Sequence, residues 1–266
     1  MKKILFIGAG NMANAIALGL SKSKLVNDND IILYDKNTEQ YSKFNKSFSI
    51  AKDMCSGIKS ADFIFISVKP QNIKDVLNEI NVDINDKVFI SICAGITMSS
   101  IENVLSNVKL VRAMPNTPLL IGQGVTALCK NENTTDEEFE FVKSIFNSCG
   151  IVTEIAENDI NALTAITSSS PAYVYLFIKS MLDGAKKLNF NYENTLELIC
   201  RTFIGSANMV LASDKTLDDQ IRMVKSPNGT TEKALNVLEE NDISKIISDA
   251  MEACTKRAIE LSELNK

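Results

Sequence analysis

Residues 3–13 read Lys3-Ile4-Leu5-Phe6-Ile7-Gly8-Ala9-Gly10-Asn11-Met12-Ala13, and this stretch decides the fold class. A short apolar run ends in Gly-x-Gly-x-x-Ala, and an amphipathic segment follows at 11–23. In such a pattern the first glycine makes a tight turn and the second admits a pyrophosphate to the backbone. The Ala lets the helix pack close to the strand, with the phosphates at the helix N-terminus. The bare pattern is common, so its context matters. The next apolar run, 30–34, ends at Asp35, near the place where a dinucleotide fold puts a ribose-binding acid.

Further apolar runs at 62–68, 87–93 and 108–113 are continuous rather than alternating, as strands buried on both faces should be. Helix-like stretches at 71–80 and 99–107 separate them, so the rhythm predicts a parallel sheet with helices on both faces. Two more strand-like runs, 124–129 and 151–155, flank a predicted helix at 136–147. Beyond about residue 158 the strand signal stops. Helices are predicted over 171–188, with Ser170 as N-cap, and over 192–212, 231–239 and 243–263. The second of these is apolar all round, which predicts burial against another subunit. The expected fold class is α/β: a Rossmann-type doubly wound sheet over 1–157, then an all-α domain over 158–266 for substrate binding and dimerisation.

Composition narrows the chemistry. The 266 residues are 45% hydrophobic and 23% charged, with 28 Lys and Arg against 33 Asp and Glu, giving a net charge of -5. That balance argues against nucleic acid as a partner. There is no histidine, which excludes Ser-His-Asp and Cys-His hydrolases, HExxH zinc sites and dehydrogenases with an imidazole acid. Six cysteines without a CxxC pair give no support to a zinc site or a disulfide framework, so we expect no metal and reduced thiols in a cytoplasmic protein. The apolar run at 4–7 is too short for a signal or membrane segment, and no later run reaches membrane-spanning length.

Candidate cofactor residues lie at the strand ends: Gly8, Ala9, Gly10, Asn11, Met12 and Asp35, then Val68, Lys69, Pro70 and Gln71, then Cys93, Ala94 and Gly95, and Asn116 in the stiff 115–118 segment. All should face the crevice outside the carboxyl ends of the strands. Asp35 favours a free ribose 2′-OH and hence NADH. Lys36 and Lys43 pull the other way, and a strand-end Asp also caps helices, so NADH and NADPH both stay open. In the helical half, 167–173 and 226–231 are hydroxyl-rich turns leading into helices, suited to a small carboxylate-bearing substrate.

Taken together these motifs resemble the pyrroline-5-carboxylate reductase family, nearly end to end. The carriers are Phe6 to Met12, Val68-Lys69-Pro70-Gln71, Arg112-Ala113-Met114-Pro115-Asn116-Thr117-Pro118, Ser169 to Tyr173, and Ser226-Pro227-Asn228-Gly229-Thr230-Thr231. The resemblance implies reduction of 1-pyrroline-5-carboxylate to L-proline by NADH or NADPH, in a homodimer formed through the helical domain, with decamers as a further assembly. It places the substrate on Ser169, Asn228, Gly229, Thr230 and Thr231, with the Thr231 hydroxyl near the ring nitrogen as the catalytic group. Ser168, Ser170 and Asn228 stand where the family has glycine. Two alternatives stay open: a reductase of another cyclic imine or small keto or hydroxy acid, and a non-catalytic dinucleotide-binding paralogue.

Overall fold

The computed structural model describes residues 2–264. Eight strands form one sheet: β1 (Ile4–Ile7), β2 (Ile31–Tyr34), β3 (Ser49–Ile50), β4 (Phe63–Ile66), β5 (Val88–Ser91), β6 (Lys109–Pro115), β7 (Gly124–Lys130) and β8 (Gly150–Glu154). Their order is β3-β2-β1-β4-β5-β6-β7-β8. The first six reproduce the doubly wound order, whose direction reverses between β1 and β4.

Burial on both faces explains the unbroken apolar runs. All four side chains of β1 are buried. Ile4 and Phe6 join a core cluster with Ile16 and Leu20 of α1 (Asn11–Ser23), while Leu5 and Ile7 join another on the opposite face. That second face is covered by α2 (Met54–Ser60), α3 (Ile73–Asn78) and α4 (Met98–Glu102). Helix α5 (Asp136–Asn147) packs on the α1 side through Phe139, Val142, Ile145 and Phe146. A complete capping box fixes its start, with Thr135 and Glu138 each accepting the other's backbone N–H.

Strand β7 runs antiparallel to β6, a direction that the sequence rhythm leaves unassigned. The reason is the connection. Residues 116–123 are too few for a crossover helix, so the chain can only turn back. Strand β8 then pairs parallel to β7 after the α5 crossover.

The helical part comprises α6 (Ile160–Leu163), α7 (Ser170–Lys187), α8 (Thr195–Leu211), α9 (Leu217–Val224), α10 (Thr230–Glu240) and α11 (Ile243–Leu264). Here the structure differs from the sequence reading at one point. Ser170 is the first residue of α7 rather than its non-helical cap, because α6 continues into a π-helical turn at Thr164–Ser168 and Ser169 keeps right-handed helical angles. No free helix N-terminus therefore exists at Ser170. The chain forms two compact units: residues up to Ser169 together with α11 from Cys254 onward, and Ser170–Ala253.

In the second unit the apolar faces stay largely exposed among the described residues. Helices α7, α9 and α10 contain no buried residue, and in α8 Leu196, Leu198, Ile204, Met209, Val210 and Leu211 are 40–85% exposed. Exposed apolar residues in that number on one helix mark an interaction surface. No described helix is long and apolar enough to cross a membrane.

Candidate functional site

The turn after β1 is locked by close contacts. Gly8 has φ +98°, and a Cβ there would sit 2.7–2.9 Å from Ser67 O, Ser67 C and Val68 N, so only glycine fits. Ser67 Oγ donates to Gly8 O at 2.7 Å or to Ile7 O at 3.0 Å, tying the ends of β1 and β4 together. Gly10 is the N-cap of α1 and offers no side-chain cap. A Cβ built on it would meet no atom within 4 Å, so the amide end of α1 opens onto free space.

That space belongs to a cleft of about 510 Å³ lined by Gly8, Gly10, Asp35, Val68 and Lys69 among others. Five of the sequence-predicted residues thus share one groove. The cleft continues past the end of β2 along Tyr34, Asn37, Gln40, Met54 and Asn72. Sequence reasoning missed that wall, since its residues are dispersed and carry no motif.

Asp35 is held from both sides. Its Oδ2 accepts the Ala9 N–H at 2.7 Å and its Oδ1 accepts the Asn37 N–H at 2.8 Å. Tyr41 closes the turn, its hydroxyl accepting from Asp35 N at 2.8 Å and donating to Asp35 O at 2.9 Å. Each carboxylate oxygen keeps lone-pair capacity for another donor. Of the two nearby lysines, Lys36 pairs with Glu79 at 2.5 Å, and that hydrogen bond raises its pKa. Among the described residues Lys43 reaches only neutral oxygens, Gln40 Oε1 at 2.8 Å and Asn11 Oδ1 at 3.4 Å. Burial pushes the Tyr34 phenol up.

Other predicted residues have internal duties. Ala9 is wholly buried, and Met12 packs against the core. Cys93 lies within hydrogen-bond reach of Val68 O at 3.3 Å and Ile66 O at 3.5 Å, and burial pushes its thiol up to about 12. It joins two strand-end loops, and its burial disfavours the thiolate. Asn116 Oδ1 accepts the Val125 N–H at 2.9 Å and its Nδ2 donates to Thr167 O at 3.1 Å, so its amide bridges the β7 start to the π-helical turn. Arg112, the first residue of the 112–118 segment, is buried within β6 and paired with Glu157 at 2.8 Å. Pro70 and Gln71 begin a short 3-10 turn, Pro70–Asn72, after Lys69. Ala94 and Gly95 lie in the turn that follows β5.

Of the substrate candidates, Ser169 lies in the first unit, where its Oγ accepts from the Cys254 thiol at 3.3 Å. The others lie in the second unit, at the start of α10. Asn228 has φ +57°, a left-handed angle that Asn tolerates better than most residues. Its N–H donates to Glu232 Oε2 at 2.9 Å. Gly229 is the N-cap and supplies no side-chain acceptor, so the first-turn amides of Thr230 and Thr231 point out unclaimed by a cap.

Comparison with known proteins decides the family. A profile described as pyrroline-5-carboxylate reductase dimerisation matches residues 157–261, and one described as NADP oxidoreductase, coenzyme F420-dependent, matches residues 3–95. The Escherichia coli (strain K12) pyrroline-5-carboxylate reductase is 36% identical over 98% of this chain and 99% of its own length. The chain belongs to the pyrroline-5-carboxylate reductase family. Another member, from Staphylococcus epidermidis, is 34% identical over 98% of both chains. Among solved structures, the Plasmodium falciparum pyrroline carboxylate reductase with NADP bound superposes with a TM-score of 0.91 at 33% identity, covering 98% of each chain. That of Coxiella burnetii gives 0.86 at 31%, also covering 98% of each. Membership makes the chain an oxidoreductase with an NAD(P)-binding Rossmann domain and a dimerisation region, and its uncovered α8 face fits that assembly.

Proposed function

We propose that this protein reduces 1-pyrroline-5-carboxylate to L-proline with NAD(P)H, and that residues 1–157 hold the dinucleotide while 158–266 bind substrate and form a cytoplasmic homodimer. Full-length similarity to pyrroline-5-carboxylate reductases carries this reading. Decamers are the larger assembly we expect from the resemblance.

The residues present fit a dinucleotide. Gly10 leaves the end of α1 open for the pyrophosphate, and Asp35 stands at the ribose end of the same cleft. When bound, the dinucleotide supplies the hydride. Asp35 is preorganised by its two backbone donors to accept ribose hydroxyls, and its charge disfavours a 2′-phosphate, so we infer a lean towards NADH.

In the second unit, the amides of Thr230 and Thr231 at the α10 N-terminus suit the substrate carboxylate, with Asn228 shaping the turn and the Gly229 N–H held by Ser226 O at 2.9 Å. Thr231 places a hydroxyl beside the ring nitrogen, where it steadies the N–H of a protonated imine. Such an imine is already an electrophile, so the protein's task is alignment and exclusion of water, and histidine is not needed.

Comparing turnover of pyrroline-5-carboxylate with that of other cyclic imines and small keto acids tests the assignment. Faster turnover of any of these would move the substrate assignment, and cofactor binding without turnover of any would favour the non-catalytic paralogue.

A further inference from the structure

The loop between β5 and α4, residues 92–97, is fixed at three points. Cys93 joins it to the end of β4, through Ile66 O and Val68 O. Gly95, at φ +72°, lies so close to α11 that an added Cβ would come within 3.1 Å of Leu261 Cβ. The third point is Met98. Its N–H belongs to the first turn of α4 and has no acceptor in that helix, since the Thr97 hydroxyl already caps Ser100. Glu157 Oε1 accepts it at 2.7 Å.

The same oxygen accepts from Arg112 Nη1 at 2.8 Å. Arg112 is 3% exposed, and its Nε and Nη2 have no partner among the described residues. Its only ion pair there is with Glu157. A buried guanidinium cannot turn to water for compensation, so it holds the carboxylate in place, and the carboxylate holds Met98. In the doubly wound order, β4 and β5 belong to the half of the sheet that serves the second mononucleotide of a dinucleotide, away from the Asp35 end.

We propose that Glu157 is a positioning residue for the reduction: anchored by Arg112, it fixes loop 93–97 against the nicotinamide half of the cofactor. This rests on reading the cleft as the dinucleotide site. Misplacing a hydride donor by about 1 Å costs on the order of a hundredfold in rate, so a loosened loop is felt in kcat.

The sharpest test is Met98→Pro. Proline suits the first helical position, and Thr97, at φ -82° and ψ 159°, already has the extended geometry that a following proline requires. The substitution therefore deletes the N–H and leaves the buried ion pair intact, but it also removes a side chain packed against two core clusters, a loss that Met98→Ala, which keeps the N–H, measures by itself. Thermal midpoint, kcat, and dissociation constants for NADH, NADPH and 5′-ADP are measured, with Glu157→Gln and Glu157→Ala alongside. Relative to Met98→Ala, Met98→Pro should lower kcat about tenfold or more and weaken both full dinucleotides, while 5′-ADP affinity and thermal midpoint stay near those of Met98→Ala. Glu157→Gln, which keeps an oxygen for Met98, should retain most of the turnover. Glu157→Ala should match Met98→Pro and also melt earlier, because Arg112 loses its counterion. Equal kcat and dinucleotide affinity in Met98→Pro and Met98→Ala would overturn the proposal, as would 5′-ADP affinity falling in step. Wild-type protein that binds neither 5′-ADP nor a dinucleotide would refute the reading beneath it.

Discussion

The Ala9 N–H donates to Asp35 Oδ2 at 2.7 Å across 26 residues of sequence, joining the glycine turn to the end of β2. One carboxylate thus braces the turn proposed to receive the pyrophosphate and lines the groove proposed for the ribose. Asp35→Ser should therefore raise the ratio of kcat/KM with NADPH to that with NADH by about tenfold, equivalent to about 1.4 kcal/mol. The ratio decides the matter, since loss of the brace weakens both cofactors alike. An unchanged ratio removes Asp35 from ribose recognition.

Thr231→Ala tests the substrate end. A hydrogen bond to a charged group contributes about 1.5–3 kcal/mol, so kcat/KM for pyrroline-5-carboxylate should fall about ten- to a hundredfold. NADH affinity should stay within about twofold. Full turnover in the variant would take Thr231 out of the mechanism.

The exposed apolar face of α8 predicts its own consequence. A charge placed there, as in Leu198→Glu or Ile204→Asp, should shift the molar mass measured by light scattering towards the single chain. If the oligomer persists in both, that face is not the subunit contact.

Two buried thiols give a signed pH dependence. Burial raises Cys93 and Cys129 from the ordinary thiol value of 9.0 to about 12. Below pH 9 folded and unfolded thiols are both protonated and nothing changes. Between about pH 9 and 12 the unfolded chain ionises them while the folded chain does not, so stability falls as pH rises through that window. Both should also resist iodoacetamide at pH 8 in the native protein. Rapid labelling of either without unfolding would contradict its placement.

Much of the fold was legible because β1, β4, β5 and β6 are buried on both faces and write continuous apolar runs, and because Gly8 can be nothing but glycine. Strand β3, two residues at Ser49–Ile50, leaves no run to read. Short α2 and α9, of seven and eight residues, fall below the length at which a helical period emerges. The reversed direction of β7 is written in the length of its connection rather than in its apolar residues. In the site, glycines and Asp35 announced themselves, whereas Tyr34, Gln40 and Met54 line the cleft through tertiary placement alone. The role of Arg112 was hidden for a related reason: its partner Glu157 lies 45 residues away.

The central claim is the reaction. Purified protein is mixed with pyrroline-5-carboxylate and NADH, or separately NADPH, while the loss of reduced-cofactor absorbance is followed and the product identified by chromatography. We predict oxidation of the cofactor with stoichiometric L-proline, faster with NADH. Binding of either cofactor without its oxidation, or oxidation without proline, would contradict the account and direct attention to Ser168, Ser170 and Asn228, where the family carries glycine.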